Sequence, residues 1–152
     1  MPLDFTVFFS SSVVGGLIAG FIALRTLERN IQIENITQER AKWREKIRIK
    51  SVEVHQASMA YNKDKLSQLR LEFSLNLNPF EIEDSSILSV IADLQDSKDR
   101  GTKLAEFSDR VALLLKHDWE RAKYEAKHFN CHLCPPERIT YAKHKATIGQ
   151  IS

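Results

Sequence analysis

Glycine, proline and cysteine are scarce in this chain, at five, four and two of 152 residues. Three of the five glycines, Gly15, Gly16 and Gly20, fall in one N-terminal stretch, and neither Gly nor Pro occurs between Gly20 and Pro79. That distribution excludes a glycine-rich phosphate loop and a nucleophile elbow, because both need glycine where a strand turns sharply into a helix. Convincing strands are also lacking, which removes the α/β setting a thioredoxin-like role for Cys131 and Cys134 would require. No two-metal carboxylate cluster is legible. His117 and Asp118 are neighbours on a helical stretch, and adjacent helix positions do not face one another, so they form no dyad.

What is present divides the chain sharply. Residues 5–24, FTVFFSSSVVGGLIAGFIAL, carry no charge. A helix of that length rises about 30 Å, the thickness of a bilayer core, and predicts a transmembrane helix. A cleaved signal peptide fits poorly, since Met1 to Asp4 hold no cation and no small-residue cleavage pattern precedes Arg25. Between Arg25 and Lys50 stand eight basic against four acidic residues. The positive-inside tendency then makes it a single-pass membrane protein with residues 1–4 outside and the remainder cytoplasmic. In a reducing cytoplasm, Cys131 and Cys134 are not expected to form a stable bridge.

The expected fold is all-α: an N-terminal transmembrane helix continuing into a long juxtamembrane helix, with two or three further helices packed as a small bundle. Leu27, Ile31, Ile36, Trp43, Ile47, Val54 and Tyr61 recur near helical spacing as one apolar stripe. Residues 64–78 carry two periods at once. Leu66, Leu69, Phe73 and Leu77 fit a helix, whereas Leu69, Leu71, Phe73, Leu75 and Leu77 alternate as a strand would; the want of a partner strand favours helix. The Asp84-Ser85-Ser86 cluster is expected to cap a third helix, and Leu104, Phe107, Val111, Leu114, Leu115 and Trp119 mark a fourth over about 103–129. The domain expectation is therefore a cytoplasmic helical domain over 25–130, followed by a basic, loosely ordered tail over 131–152.

Three groups of residues are candidates for function. Ser12, Gly16 and Gly20 recur every four residues, a spacing that lets two helix backbones approach closely and pair; glycine is also simply frequent in membrane helices. The run Arg40, Lys42, Arg44, Lys46, Arg48 and Lys50 could meet anionic lipid or a nucleic-acid backbone, or be only a solvated helix face. Cys131 and Cys134, with His128 and His132 beside them, contain half of a zinc ligand pattern, and a helix stop followed by a turn explains the same residues. Apart from that zinc ion no cofactor is expected, and neither is a small-molecule substrate.

The stretches ERAKWREKIR at 39–48, LEFSLNLNP at 71–79 and LLLKHDWERAKYEA at 113–126 together resemble a loose group of small bacterial single-span membrane proteins with helical cytoplasmic domains. Some proteins of similar build are membrane components of anti-phage systems, including retron-type modules. The small-residue face of the span and the long apolar stripe, both of which seek partners, lead to a non-enzymatic interaction protein anchored in a bacterial inner membrane, with a protein partner or further copies of itself as ligand; the resemblance adds the anti-phage setting and carries over no catalytic residue. The Cys131 to Cys134 segment departs from the shared pattern. The alternatives are a membrane-tethered nucleic-acid binder and a zinc-stabilised regulatory protein.

Overall fold

The structure is a computed structural model that describes residues 11–126 and 135–150. It is all-α, with five helices and no strand among the described residues: α1 (Ser11–Met59), α2 (Lys63–Ser74), α3 (Ile82–Asp93), α4 (Arg100–Ala126) and α5 (Tyr141–Gly149). The chain divides into two compact units, Met1–Gln38 and Glu39–Ser152.

In the first unit the described residues are helical from Ser11 onward. The expectation of a transmembrane helix, and with it of a single-pass inner-membrane protein, is corrected here: no helix among the described residues is long and apolar enough to cross a membrane. Only 14 described residues, Ser11 to Leu24, precede the charges of Arg25, Glu28 and Arg29. Residues 5–10 of the expected span, and residues 1–4 before it, lie outside the described residues.

The second unit is a small helical bundle. Its core joins Ile47, Val54 and Ala57 of α1 to Leu66, Leu69 and Phe73 of α2, Ile87, Val90 and Ile91 of α3, and Leu104, Phe107, Val111 and Leu114 of α4. Phe73 and Phe107 meet edge to face, with ring centroids 5.8 Å apart. In α2 the helical period wins over the alternating one: Leu66, Leu69 and Phe73 are buried, while Leu71 and Leu75 are exposed. A strand face would have put Leu69, Leu71, Phe73 and Leu75 together.

Turn chemistry fixes how these helices follow one another. After α1 the chain reverses through Tyr61 at φ 56°, with Tyr61 N–H donating to Ser58 and Asn62 N–H to Ala57. This is the paired-bond helix stop that usually carries glycine at the left-handed position. Here a tyrosine occupies it, and the Arg100 guanidinium, from the start of α4, lies 3.9 Å from its ring centroid. Asn62 then caps α2 by accepting from Lys65 N–H. The expected cap of α3 at Asp84-Ser85-Ser86 is displaced: α3 begins at Ile82 with Glu81 as N-cap. Asp84 is buried instead, accepting from Asn78 N–H at 2.8 Å and meeting Arg138 Nη2 at 2.6 Å. The basic C-terminal stretch includes α5, capped by Thr140 and carrying no buried residue.

Phe73→Ala should cost about 3–5 kcal/mol in urea unfolding, as large-to-small changes at aromatic core positions do, and Leu71→Ala within about 0.5 kcal/mol. Equal losses at the two positions would contradict the helical face assigned to α2.

Candidate functional site

The six cations from Arg40 to Lys50 do not share a face. Successive helix positions turn by about 100°, so Arg40, Arg44 and Arg48 form one row, and Lys42, Lys46 and Lys50 a second on the opposite side. Arg44 donates from Nη1 to Asp118 Oδ2 at 2.8 Å, and the pair is largely buried. Arg40 reaches Glu125 at 2.9 Å and lies 3.7 Å from the other oxygen of Asp118. Lys50 contacts both Glu53 and Glu72 at 2.9 Å. Those hydrogen bonds raise the Lys50 pKa, and the one from Lys50 lowers each of the two carboxyls. Lys42 pairs with Glu39 and Arg48 with Glu45 on the solvent side. Of the six, only Lys46 has no carboxylate partner among the described residues.

Two hollows flank the Arg44–Asp118 junction. One, of about 540 Å³, is lined by Ala41, Arg44, Arg48, Leu115, Lys116 and Trp119. The Trp119 indole is half exposed and held between two cations, Arg44 at 5.3 Å and Lys123 at 4.8 Å from its centroid. The other hollow, of about 220 Å³, is bordered by Trp43, Asn78, Glu81, His117, Arg121 and Arg138 among others. Trp43 Nε1 donates to the Asn76 carbonyl and so closes one wall.

His117 borders that smaller hollow together with Asp118, but the Asp118 carboxylate is held by Arg40 and Arg44. Burial first, then the Arg138 and Arg121 charges, hold the imidazole below its ordinary value, with Glu81 and Asp118 opposing. Near it the C-terminal segment is fastened by polar contacts. Arg138 meets Asp84, while Glu83 accepts from Arg110 at 3.0 Å and from Tyr141 N–H at 3.3 Å. The Arg110 guanidinium also stacks 4.2 Å from the Tyr141 ring centroid.

In the first unit, Gly16 and Gly20 stand on open helix surface: a Cβ added at either would meet nothing within 4 Å. Ser12 is helical as well. The zinc candidates Cys131, Cys134, His128 and His132 lie outside the described residues, and among the described residues no group of three potential metal ligands occurs. Asp118, Trp119 and Arg138 escaped sequence reasoning as site residues, because their partners Arg40, Arg44 and Asp84 lie 54 to 78 positions away from them and no local spacing encodes that. The chain matches no protein-family model, no curated protein and no solved structure.

Two outcomes follow. Asp118→Leu strands Arg44 in a largely buried setting and should cost about 3 kcal/mol or more, whereas Arg44→Met combined with Asp118→Leu should recover most of that loss. An additive double variant in urea unfolding would contradict the coupling. Because the folded state disfavours protonated His117, its contribution to stability is full above the ordinary imidazole value of 6.5 and is lost as pH falls toward the lowered value. Unfolding midpoints should thus fall more steeply from about pH 7 to about pH 5 in the native chain than in His117→Gln. Parallel profiles would exclude His117 as the cause.

Proposed function

We propose that the chain is a non-enzymatic helical interaction protein that assembles with copies of itself through the first unit of α1. The observation that carries this reading is a seam: Leu17, Gly20, Leu24, Leu27 and Ile31 repeat at alternating three- and four-residue intervals. Its four large side chains are each more than half exposed, Leu17 at 71%. Such a repeat is the signature of helices that pack on one another, and Gly20 within it allows close backbone approach. Gly16 borders the seam one turn before Gly20. Phe21 adds exposed apolar area beside the seam, and monomeric proteins seldom leave a large contiguous apolar patch uncovered.

The remaining chemistry supports an interaction role over catalysis, because the buried or half-buried carboxylates Asp84 and Asp118 are bound to guanidinium groups rather than poised for proton transfer. A nucleic-acid partner has less support, since five of the six cations from Arg40 to Lys50 already neutralise carboxylates of the chain itself. The setting suggested by resemblance, a bacterial anti-phage system, belongs to the same proposal, and a reverse transcriptase or nuclease gene beside this one would support it.

Sedimentation velocity tests the seam. The native chain should run as an oligomer, and Leu17→Glu with Leu24→Glu should lower its mass to that of one chain, with helix content retained. A native chain that stays monomeric at high concentration, or a doubly substituted chain of unchanged mass, would overturn the reading.

A further inference from the structure

The smaller hollow of the bundle gathers donors and an acceptor that leave one another unpaired. Arg40 and Trp43 of α1, Glu81 before α3, His117 of α4 and Arg138 of the C-terminal segment all border it. Two of its guanidinium groups are committed to carboxylates through part of the fork only. Arg40 Nη2 meets Glu125 at 2.9 Å, but Arg40 Nη1 stands 3.7 Å from Asp118, beyond hydrogen-bond reach. Arg138 Nη2 meets Asp84 at 2.6 Å, whereas Arg138 Nε has no partner. Arg40 Nη1 and Arg138 Nε are thus buried donors without an acceptor, and His117 Nδ1 is a third buried nitrogen without a partner. Leaving a buried donor unpaired is costly, most of all on a charged group, so the hollow favours an occupant that accepts from these nitrogens.

Glu81 supplies the opposite charge. It is half-buried, its side chain makes no capping bond to α3, and among the described residues it has neither a hydrogen bond nor an ion pair. The other two carboxylates of the hollow are already engaged, Asp84 by Arg138 and Asn78 N–H, and Asp118 by Arg40 and Arg44. One carboxylate therefore remains for a cation, while guanidinium nitrogens remain for an anion. An anion alone satisfies the donors but faces Glu81, and a cation alone satisfies Glu81 but faces Arg40, Arg121 and Arg138. A molecule carrying both charges meets both demands.

We infer that the hollow binds a small zwitterion, a free α-amino acid with a short apolar side chain. Its carboxylate accepts from Arg40 Nη1 and Arg138 Nε, and its ammonium donates to Glu81. Its side chain lies against Leu114 and the Trp43 ring, which form the apolar part of the wall; the Trp43 N–H is already spent on the Asn76 carbonyl. The size agrees, because a volume of about 220 Å³ falls below the roughly 300–1,000 Å³ of pockets that take drug-sized ligands. Binding through Arg138 also ties the C-terminal segment to α1. The site shares no residue with the α1 seam and does not depend on assembly.

Isothermal titration calorimetry on the full chain tests the site with three probes of one carbon skeleton: L-valine, isovalerate, which lacks the ammonium, and isobutylamine, which lacks the carboxylate. L-valine should bind, and each single-charge probe should bind about ten-fold more weakly, since a charge-assisted hydrogen bond is lost with either group. Inorganic phosphate should bind no better than isovalerate. Glu81→Gln keeps the shape of a side chain that holds no other part of the described fold; it should weaken L-valine about ten-fold and leave isovalerate bound as well as before or better. No heat from L-valine up to its solubility would overturn the inference. So would isovalerate or phosphate binding as tightly as L-valine, or an unchanged L-valine affinity in the Glu81→Gln chain.

Discussion

The Asp118 carboxylate organises the second unit. Arg44 reaches it from α1 at 2.8 Å and Arg40 stands 3.7 Å from its other oxygen, so one acidic side chain of α4 holds two cations of α1. Taking those charges out of water is costly unless they are paired, which is why the pair constrains the register of α1 against α4 once Ile47 and Val54 are buried. Consequences extend outward from that register. Trp119, the next residue, is displayed beside the Arg44 guanidinium instead of entering the core, and the groove it forms exists because long side chains rather than close-packed ones bridge the two helices there.

The same junction explains why a run of cations is a poor guide to a partner. Six Lys and Arg in eleven residues read as an anion-binding face when only α1 is considered. Folding distributes them around the helix and spends most of them on Asp118, Glu125, Glu72, Glu53, Glu39 and Glu45. The net charge of +2 over the whole chain already implies that acids are nearly as numerous as bases. Which acid meets which base is decided by tertiary contacts far apart in sequence.

Local pattern made much of the fold legible. The apolar positions Ile47, Val54, Leu66, Leu69, Phe73, Ile87, Leu104, Phe107 and Val111 follow the helical period and are buried as that period requires. The start of α3 was not legible, because a carboxylate at a capping position serves equally well as a buried anchor, and Asp84 is claimed by Asn78 and Arg138. The helix stop at Tyr61 was hidden too, since its left-handed residue is not glycine. Residues 5–24 show the limit of hydropathy most clearly. An uncharged run states how apolar a segment is, whereas a crossing needs a long apolar helix, and no helix among the described residues is long and apolar enough. Of the small-residue pattern, Gly16 and Gly20 stand on open helix surface beside the Leu17 to Ile31 seam.

The central claim is that this seam is a contact between copies, and cysteine crosslinking addresses it most directly. With Cys131→Ser and Cys134→Ser removing the native thiols, a single cysteine at Gly20 lies within the seam and one at Ile22 lies on the opposite side of the helix. Mild oxidation should convert the Gly20→Cys chain to a covalent dimer much faster than the Ile22→Cys chain. Equal rates at the two positions, or no dimer at Gly20, would contradict a specific helix–helix seam.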